Sequence, residues 1–233
     1  MGLGHSERAN RTYVQIVGNE KRNHGKGGVS FAIRAEKGAD GAVSRINKKE
    51  QEVWEHEFET LSGTIRQIDL RESDFGKQWN ITIADIDKNG EVNEYVLTDS
   101  YSSQYIKTLF NKLCSLTPAQ ISDGVLQLEP YFFPNKEKPG KFIRGMALYV
   151  LDGEKRKIDS AYTKDDIPPM DQVVLKGENT WDDTKQIEFF KGKIEQLVKP
   201  HLGNARSWFG AAAVATEEPE QTPGEPIDNE LPF

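Results

Sequence analysis

The chain has 233 residues, a formal net charge of −7 and a single cysteine, Cys114. This length suits one large domain, or one domain with a small appendage, and a lone cysteine excludes an internal disulfide bond. No stretch approaches the roughly 18 apolar residues of a membrane span, so we expect no membrane partner. The N-terminus shows no apolar signal segment, and we therefore expect a cytoplasmic protein.

Charge is unevenly distributed along the chain. Residues 217–233 contain six acids and no base, whereas residues 1–49 contain ten Lys or Arg against four acids. Residues 134–157 are also basic, with seven bases against three acids. Although the net charge is negative, the chain therefore contains basic stretches that can attract an anionic partner. The excess of acids lies largely at its C-terminal end.

Hydrophobic periodicity predicts a mainly β protein with two helices. The expected strands are 13–17, 29–33, two pieces of 52–70 that break near Ser62-Gly63, 77–86, 92–98, 125–130, 141–150 and 155–158. An Asn-Gly turn within 87–90 predicts a hairpin. Helical spacing predicts helices over 100–115, with Ser100 as N-cap, and over 182–199. Residues 37–50 and 160–180 are expected to be irregular, the latter because of Pro168-Pro169.

In the middle of the chain the elements follow the order strand, strand, strand, helix, strand, strand. This order is typical of the oligonucleotide-binding (OB) fold, a five-stranded Greek-key barrel with its helix between the third and fourth strands. We expect a basic N-terminal region with extra strands over 1–50 and an OB core with a C-terminal helix over 51–209. Residues 210–233 are expected to be a disordered acidic tail, since their composition cannot build a core.

The tail ends in Ile227-Asp-Asn-Glu-Leu-Pro-Phe233. A partner's pocket can capture such an end, because the phenyl ring fills an apolar cavity while the terminal carboxylate and upstream acids meet basic side chains. The alternative is a solubilising tail with a chance ending.

The last six residues resemble the acidic tip of bacterial and bacteriophage single-stranded DNA-binding proteins, which typically reads acid-acid-acid-Ile/Leu-Pro-Phe. Only Asn229 departs from this pattern. The long body is more similar to the divergent bacteriophage (Enc34-type) members than to the compact cellular ones. The resemblance implies a non-catalytic protein of the host-cell cytoplasm that coats single-stranded DNA (ssDNA) during replication, recombination and repair. It also implies recruitment of replication or repair proteins through Asp228, Glu230, Leu231, Pro232 and Phe233, and copies could associate along the DNA.

Binding of ssDNA without sequence preference requires cations along the backbone path and aromatic faces for stacking. The candidates that pair these properties are Trp54, Phe58, Arg66, Arg71, Lys77, Trp79, Tyr95, Lys136, Lys138, Lys141, Phe142, Arg144 and Tyr149. Any strand aromatic can instead belong to the core, and Trp79 shares its face with Ile81 and Ile83. Tyr101 and Tyr105 fit either interpretation.

Two other functions stay open. One is a protein-interaction adaptor without nucleic-acid function, and the other is a metal-dependent nuclease built on Glu55, Glu57, Glu59, Asp69, Asp85 and Asp87. Histidine and cysteine spacing predicts no metal site, and we expect no cofactor. Asp85–Glu91 resembles the start of a calcium loop, but Val96 occupies the position that requires Glu, so a hairpin turn is expected.

Overall fold

The computed structural model describes residues 10–18, 28–47, 50–73, 76–87, 89–175 and 178–203. The strands are β1 (Asn10–Gly18), β2 (Val29–Ala35), β3 (Val43–Ile46), β4 (Glu52–Phe58), β5 (Leu61–Ser73), β6 (Gly76–Ile86), β7 (Val92–Ser100), β8 (Leu126–Pro134), β9 (Phe142–Leu151), β10 (Lys155–Lys157), β11 (Asp171–Leu175) and β12 (Glu178–Asp182). The helices are α1 (Gln104–Leu113), α2 (Pro118–Ser122) and α3 (Thr184–Lys193), and α3 continues into a π-helical turn, Ile194–Val198, and a 3₁₀ turn, Lys199–His201. The predicted tail lies outside the described residues.

Within the described ranges, ten strands form one mixed sheet in the order β10-β9-β8-β5-β6-β7-β1-β2-β4-β3. Neighbouring strands are antiparallel except β1 and β7, which pair in parallel from Asn10↔Asn93 to Gln15↔Thr98. The strands of the N-terminal region thus extend the sheet that the middle of the chain begins. β11 and β12 form a separate antiparallel hairpin.

The mainly β class is confirmed, but the described strands do not close into a barrel. β7 and β9 do not pair, because β1 occupies the edge of β7 over Asn93–Thr98. The edge of β9 opposite β8 pairs with β10 at its end, and nearer its beginning α1 contacts it, where Thr108 Oγ1 accepts a hydrogen bond from the Met146 amide at 2.8 Å. The sheet therefore has an open seam between the end of β7 and the beginning of β9.

The core lies on one face of the central strands. Trp79, Ile81 and Ile83 alternate along β6 and are at most 2% exposed, in agreement with the predicted face. Side chains from α1, including Phe110, cover them, and the Trp79 and Phe110 rings meet edge to face at 4.9 Å. Burying large side chains of this kind contributes about 1.5–3 kcal/mol each.

α1 begins later than the sequence pattern predicts. Its N-cap is Ser103, not Ser100, and the Ser103 hydroxyl accepts a hydrogen bond from the Tyr105 amide at 3.2 Å. A second, short helix, α2, was not expected; Thr117 and Gln120 form a capping box at its start, with Pro118 as its first residue. Both caps satisfy amides that the first helical turn leaves without internal partners.

Three further predictions were wrong in detail. β3 lies in the segment expected to be irregular, where pairing with β4 supplies the hydrogen bonds. β11 and β12 occupy part of the expected loop 160–180, since the disruption by Pro168-Pro169 ends before Asp171. The chain breaks between β4 and β5 near Thr60, not at Gly63, which lies inside β5.

The hairpin predicted at Asp87–Gly90 is confirmed, with Asp87 Oδ1 accepting hydrogen bonds from the Asn89 and Glu91 amides. No helix in the described ranges is long and apolar enough to cross a membrane.

Gly63 allows β5 to cross β6 closely. Its φ of +146° lies in a region that other residues rarely adopt, and an added Cβ would lie 2.5 Å from the Ala84 carbonyl oxygen. A register shift follows between Ile65 and Gln67. This irregularity lets β5 pair with β8 at its beginning and with β6 along the rest.

We predict that Gly63→Ala will destabilise the protein by about 2–4 kcal/mol, because it combines backbone strain with a backbone clash. The matched control is Gly38→Ala, at φ +77° but with nothing within 4 Å of the added Cβ, which should lose only about 1–2 kcal/mol. Urea unfolding of both variants measures the difference. Equal losses would show that the close approach at Gly63 is unimportant.

Candidate nucleic-acid interface

A cleft of about 700 Å³ lies at the open seam. It lies within the range of roughly 300–1,000 Å³ that is typical of ligand sites. One wall comes from the end of β7 and the beginning of α1, and the other from the first residues of β9. The lining residues are Asp99, Ser100, Ser102, Ser103, Gln104, Tyr105, Phe142, Ile143 and Arg144.

The β8–β9 hairpin extends beyond the core as an arm, here called the aromatic arm (Tyr131–Arg144). Phe132 and Phe142 stack with ring centroids 4.7 Å apart and planes 14° apart, and Tyr131 and Phe133 stack at 5.8 Å. Phe142 lines the cleft, while Phe133 is 44% exposed. The arm thus carries preformed aromatic stacks outside the core, and flat rings of this kind can stack on bases of any sequence.

The tip of the arm is an ordered, basic turn. Asn135 Oδ1 accepts hydrogen bonds from the Glu137 amide at 2.9 Å and the Lys138 amide at 3.2 Å. The Asn135 amide in turn donates to the Lys141 carbonyl at 2.7 Å. Lys136, Lys138 and Lys141 are exposed on this turn. These bonds hold the backbone of the turn, and three exposed lysines extend from it next to the cleft.

Arg144 and Tyr105 face each other across the cleft. Burial raises the pKa of the Tyr105 hydroxyl, and the nearby positive charge of Arg144 acts in the opposite direction. Arg144 is exposed, and its guanidinium can pair with a phosphate group through two parallel hydrogen bonds. The cleft therefore combines an aromatic ring, a tyrosine and a permanent cation.

Asp99 is the acid of the cleft. Burial raises the pKa of its carboxyl, although hydrogen bonds from the Ser103 hydroxyl and the Ser100 amide lower it. Its carboxylate would repel a phosphate, so its protonation state should influence the binding of an anionic chain.

Lys77 and Tyr101 lie beside the β7 wall. The Tyr101 amide donates to the Lys77 carbonyl, and the Lys77 ammonium lies 5.7 Å from the centre of the Tyr101 ring. The Tyr101 hydroxyl donates to Glu188 on α3, and burial together with Glu188 raises the pKa of Tyr101 to about 12. Tyr101 is thus tied to α3, whereas Lys77 is exposed near the cleft.

Of the predicted site residues, the cleft and the aromatic arm bring together Phe142, Arg144, Lys136, Lys138 and Lys141, with Lys77 nearby. Trp79 is not available for stacking: it is 2% exposed, and its indole N–H donates to the Tyr101 carbonyl at 3.3 Å. Its burial follows from the apolar face that it shares with Ile81 and Ile83. Trp79 therefore belongs to the core in this structure, and its contact with DNA stays a prediction.

Phe58 and Tyr95 lie together, but in a different place. They line a cavity of about 190 Å³ with Phe31, Leu61 and Asp85. The cavity is smaller than typical ligand sites and lies away from the arm, since Tyr95 is four residues before Asp99 along β7. These two aromatics do not extend the cleft.

The remaining candidates are scattered. Trp54 is half-buried on β4, opposite Ala35 of β2. Arg66 is half-buried at the irregularity of β5, near Asp123, and burial lowers the pKa of its guanidinium. Arg71 is exposed on β5, and its Nε lies 3.2 Å from the Asn80 side-chain amide. Tyr149 lies at the far end of β9, under the Lys155 ammonium at 4.2 Å. None of these four lines the cleft.

Sequence reasoning missed Tyr131, Phe132 and Phe133 as part of the site. The signal was available: three consecutive aromatics on a strand must place rings on both faces, and only one face can point into the core. They also directly precede the basic turn.

The acids proposed for a nuclease are not gathered into one site. Among the described residues, no group of three or more His, Cys, Asp or Glu could hold a metal ion. Glu55, which is 1% exposed, accepts two hydrogen bonds from the Arg45 guanidinium, at 2.6 and 2.7 Å. The charge of Glu55 is therefore compensated within the β3–β4 edge of the sheet.

Comparison with known proteins gives no relative. No family model matches the chain, and neither a curated protein nor a solved structure is significantly similar to it.

Proposed function

We propose that this protein binds ssDNA without strong sequence preference, through the cleft at the open seam and the aromatic arm. It acts without catalysis: it protects the strand during bacteriophage replication or recombination, and it recruits partner proteins through its acidic C-terminal tip. The observation that carries the proposal is the joining of Phe142, Tyr105 and Arg144 in one cleft beside the basic turn.

The order of strands supports an OB-type core. In the sheet, the five strands of this core lie in the order β9-β8-β5-β6-β7. Along the chain, α1 lies between the third of these strands, β7, and the fourth, β8. In an OB fold the same spatial order is wound into a partly open barrel, and the loop between the last two strands helps to bind the oligonucleotide. Here that loop is the basic turn of the aromatic arm. We infer an OB fold opened at the seam, with β1 added at the edge of β7.

The chemistry of the cleft fits a single strand better than a duplex. Bases of a single strand are free to stack on Phe142 or Tyr105, whereas bases inside a duplex are not. Arg144 and the lysines of the turn can follow the phosphates and release counterions, which makes binding salt-dependent without reading sequence.

The proposed recruitment of partner proteins rests on the sequence of the acidic tip alone. Its Pro-Phe end and preceding acids suit a pocket with an apolar floor and a basic rim. Glu230 and Asp228 would contact that rim, while Leu231 and Phe233 would enter the pocket.

The proposal is tested by titrating a labelled oligo(dT) with the full-length protein and following fluorescence anisotropy. We expect salt-sensitive binding that Phe142→Ala weakens by about 1–3 kcal/mol, which is roughly 5- to 150-fold in Kd. Arg144→Gln should weaken binding and reduce the slope of log Kd against log salt by about 0.7, the value for one phosphate contact on a single strand.

Tyr13→Ala serves as the matched control, because Tyr13 is 56% exposed on β1 and does not line the cleft. It should bind as the parent does. If neither the parent nor the variants bind any oligonucleotide, the proposal is wrong and the adaptor function takes its place. If Tyr13→Ala weakens binding as much as Phe142→Ala does, DNA lies on the other face of the sheet.

Asp99 predicts a pH dependence of binding. Because burial raises its pKa, its charge is lost at a higher pH than that of an ordinary Asp as the pH falls. Asp99→Asn should therefore tighten oligo(dT) binding at neutral pH by roughly 2- to 5-fold, corresponding to about 0.5–1 kcal/mol for one partly screened charge.

The advantage of Asp99→Asn should shrink as the pH is lowered towards the raised pKa of Asp99, since the parent then loses the same charge. Asp152→Asn, an exposed acid paired with Arg156, is the control and should show no such trend. A constant ratio of affinities across the titration would show that Asp99 does not face the DNA.

A further inference from the structure

The β11–β12 hairpin exposes an apolar surface that no element of the proposed DNA site uses. Val174 is 69% exposed and Trp181 is 62% exposed. Gln172 pairs with Trp181 and Val174 pairs with Asn179, so Val174 and Trp181 are diagonal neighbours on one face. Met170, 43% exposed, immediately precedes the hairpin. Exposed apolar clusters of this kind are typical of protein contacts.

This hairpin and the residues that flank it are acidic. Residues 165–183 contain six acids and one lysine. Asp171 and Asp182 lie directly opposite each other at the base of the hairpin, an arrangement of like charges that disfavours the strand pair. Lys185 relieves part of this repulsion by pairing with Asp171 at 2.9 Å. An approaching cationic surface would relieve more of it, whereas a phosphate chain would be repelled.

The aromatic arm offers the complementary surface on the same molecule. Phe133 and Ile143 are directly opposite each other across β8 and β9 and are 44% and 48% exposed. Residues 134–144 carry four cations and one acid. One hairpin therefore presents apolar side chains among carboxylates, and the other presents apolar side chains among ammonium groups.

We infer that the acidic β11–β12 hairpin of one copy docks on the aromatic arm of a second copy, with Trp181 against Phe133 and Ile143. The two surfaces differ, so the contact is head-to-tail and leaves one free surface at each end. Repetition of such a contact builds an open chain of copies unless the rotation closes a ring. Ile143 also lines the cleft, so each docked neighbour would border the DNA path.

The test is sedimentation velocity of the full-length protein without DNA, over a range of protein and salt concentrations. The parent should sediment faster as its concentration rises, and salt should suppress this. Trp181→Ala with Val174→Ser (the hairpin variant) should weaken association by at least about 30-fold, the effect of losing a tryptophan hot spot. Lys136→Glu with Lys138→Glu (the arm variant) should weaken it comparably. All these side chains are exposed, so the variants should retain the unfolding midpoint of the parent.

A mixture of the two variants distinguishes head-to-tail docking from other contacts. Each variant alone keeps one intact surface, so the equimolar mixture should form a dimer that grows no further. Tyr13→Ala and Lys164→Glu, at exposed positions outside both hairpins, should associate as the parent does. A parent that stays monomeric, variants that associate normally, or a mixture that stays monomeric while the parent associates would each overturn the inference.

DNA binding provides an independent readout. The hairpin variant should bind an oligonucleotide long enough for one copy, about 4–16 nucleotides, as the parent does. If it binds the short oligonucleotide as weakly as Phe142→Ala does, then the β11–β12 hairpin is a DNA contact and not a docking surface. Association without DNA would persist even if the proposed DNA function failed.

Discussion

The architecture depends on the parallel pairing of β1 with β7. Because β1 covers the edge of β7 only as far as Thr98, Asp99 and Ser100 continue beyond it without a strand neighbour on that side. β1 thus occupies the edge of β7 at which the proposed OB core would pair with β9. At its beginning β9 pairs with β8 but not with β7, and a seam stays open between them. If β7 and β9 paired, the backbone edges and the space that form the cleft would be filled by that pairing. The N-terminal strands are thus part of the sheet that shapes the site.

The open seam also explains why aromatic side chains accumulate on the β8–β9 hairpin. Inside the sheet, Leu128, Met146 and Leu148 of these strands are fully buried. Beyond the core, the same hairpin continues as the aromatic arm, whose rings stack in two pairs. Ring stacking and the hydrogen bonds of Asn135 give this extension a fixed form without a core beneath it. A surface prepared in this way loses little conformational entropy when it binds a flexible strand.

Sequence patterns predicted the central elements well, because alternation along β6 and the helical spacing of α1 directly reflect burial. The patterns were less successful where a strand forms only because it pairs with another strand of the sheet. The short strand β3 is held by β4 and by the Arg45–Glu55 pair, and nothing in its four residues requires a strand. Local sequence likewise does not indicate which strand will pair with the edge of β7, so the parallel β1–β7 pair was not predicted. Basic residues of the arm could be predicted from clustering, but Trp54, Arg66 and Tyr149 could not be excluded without knowing where each strand lies.

The most direct test of the central claim is photochemical cross-linking of a 5-bromodeoxyuridine oligonucleotide to the full-length protein, followed by mass spectrometry of the cross-linked peptides. Bromouracil reacts with side chains that it touches, aromatic ones especially, so it maps contact without substitution. The account predicts cross-links in the aromatic arm, at Phe142 or its neighbours, and at Tyr105. Cross-links confined to β1 or to the β11–β12 hairpin, or none at all, would contradict an ssDNA site at the open seam.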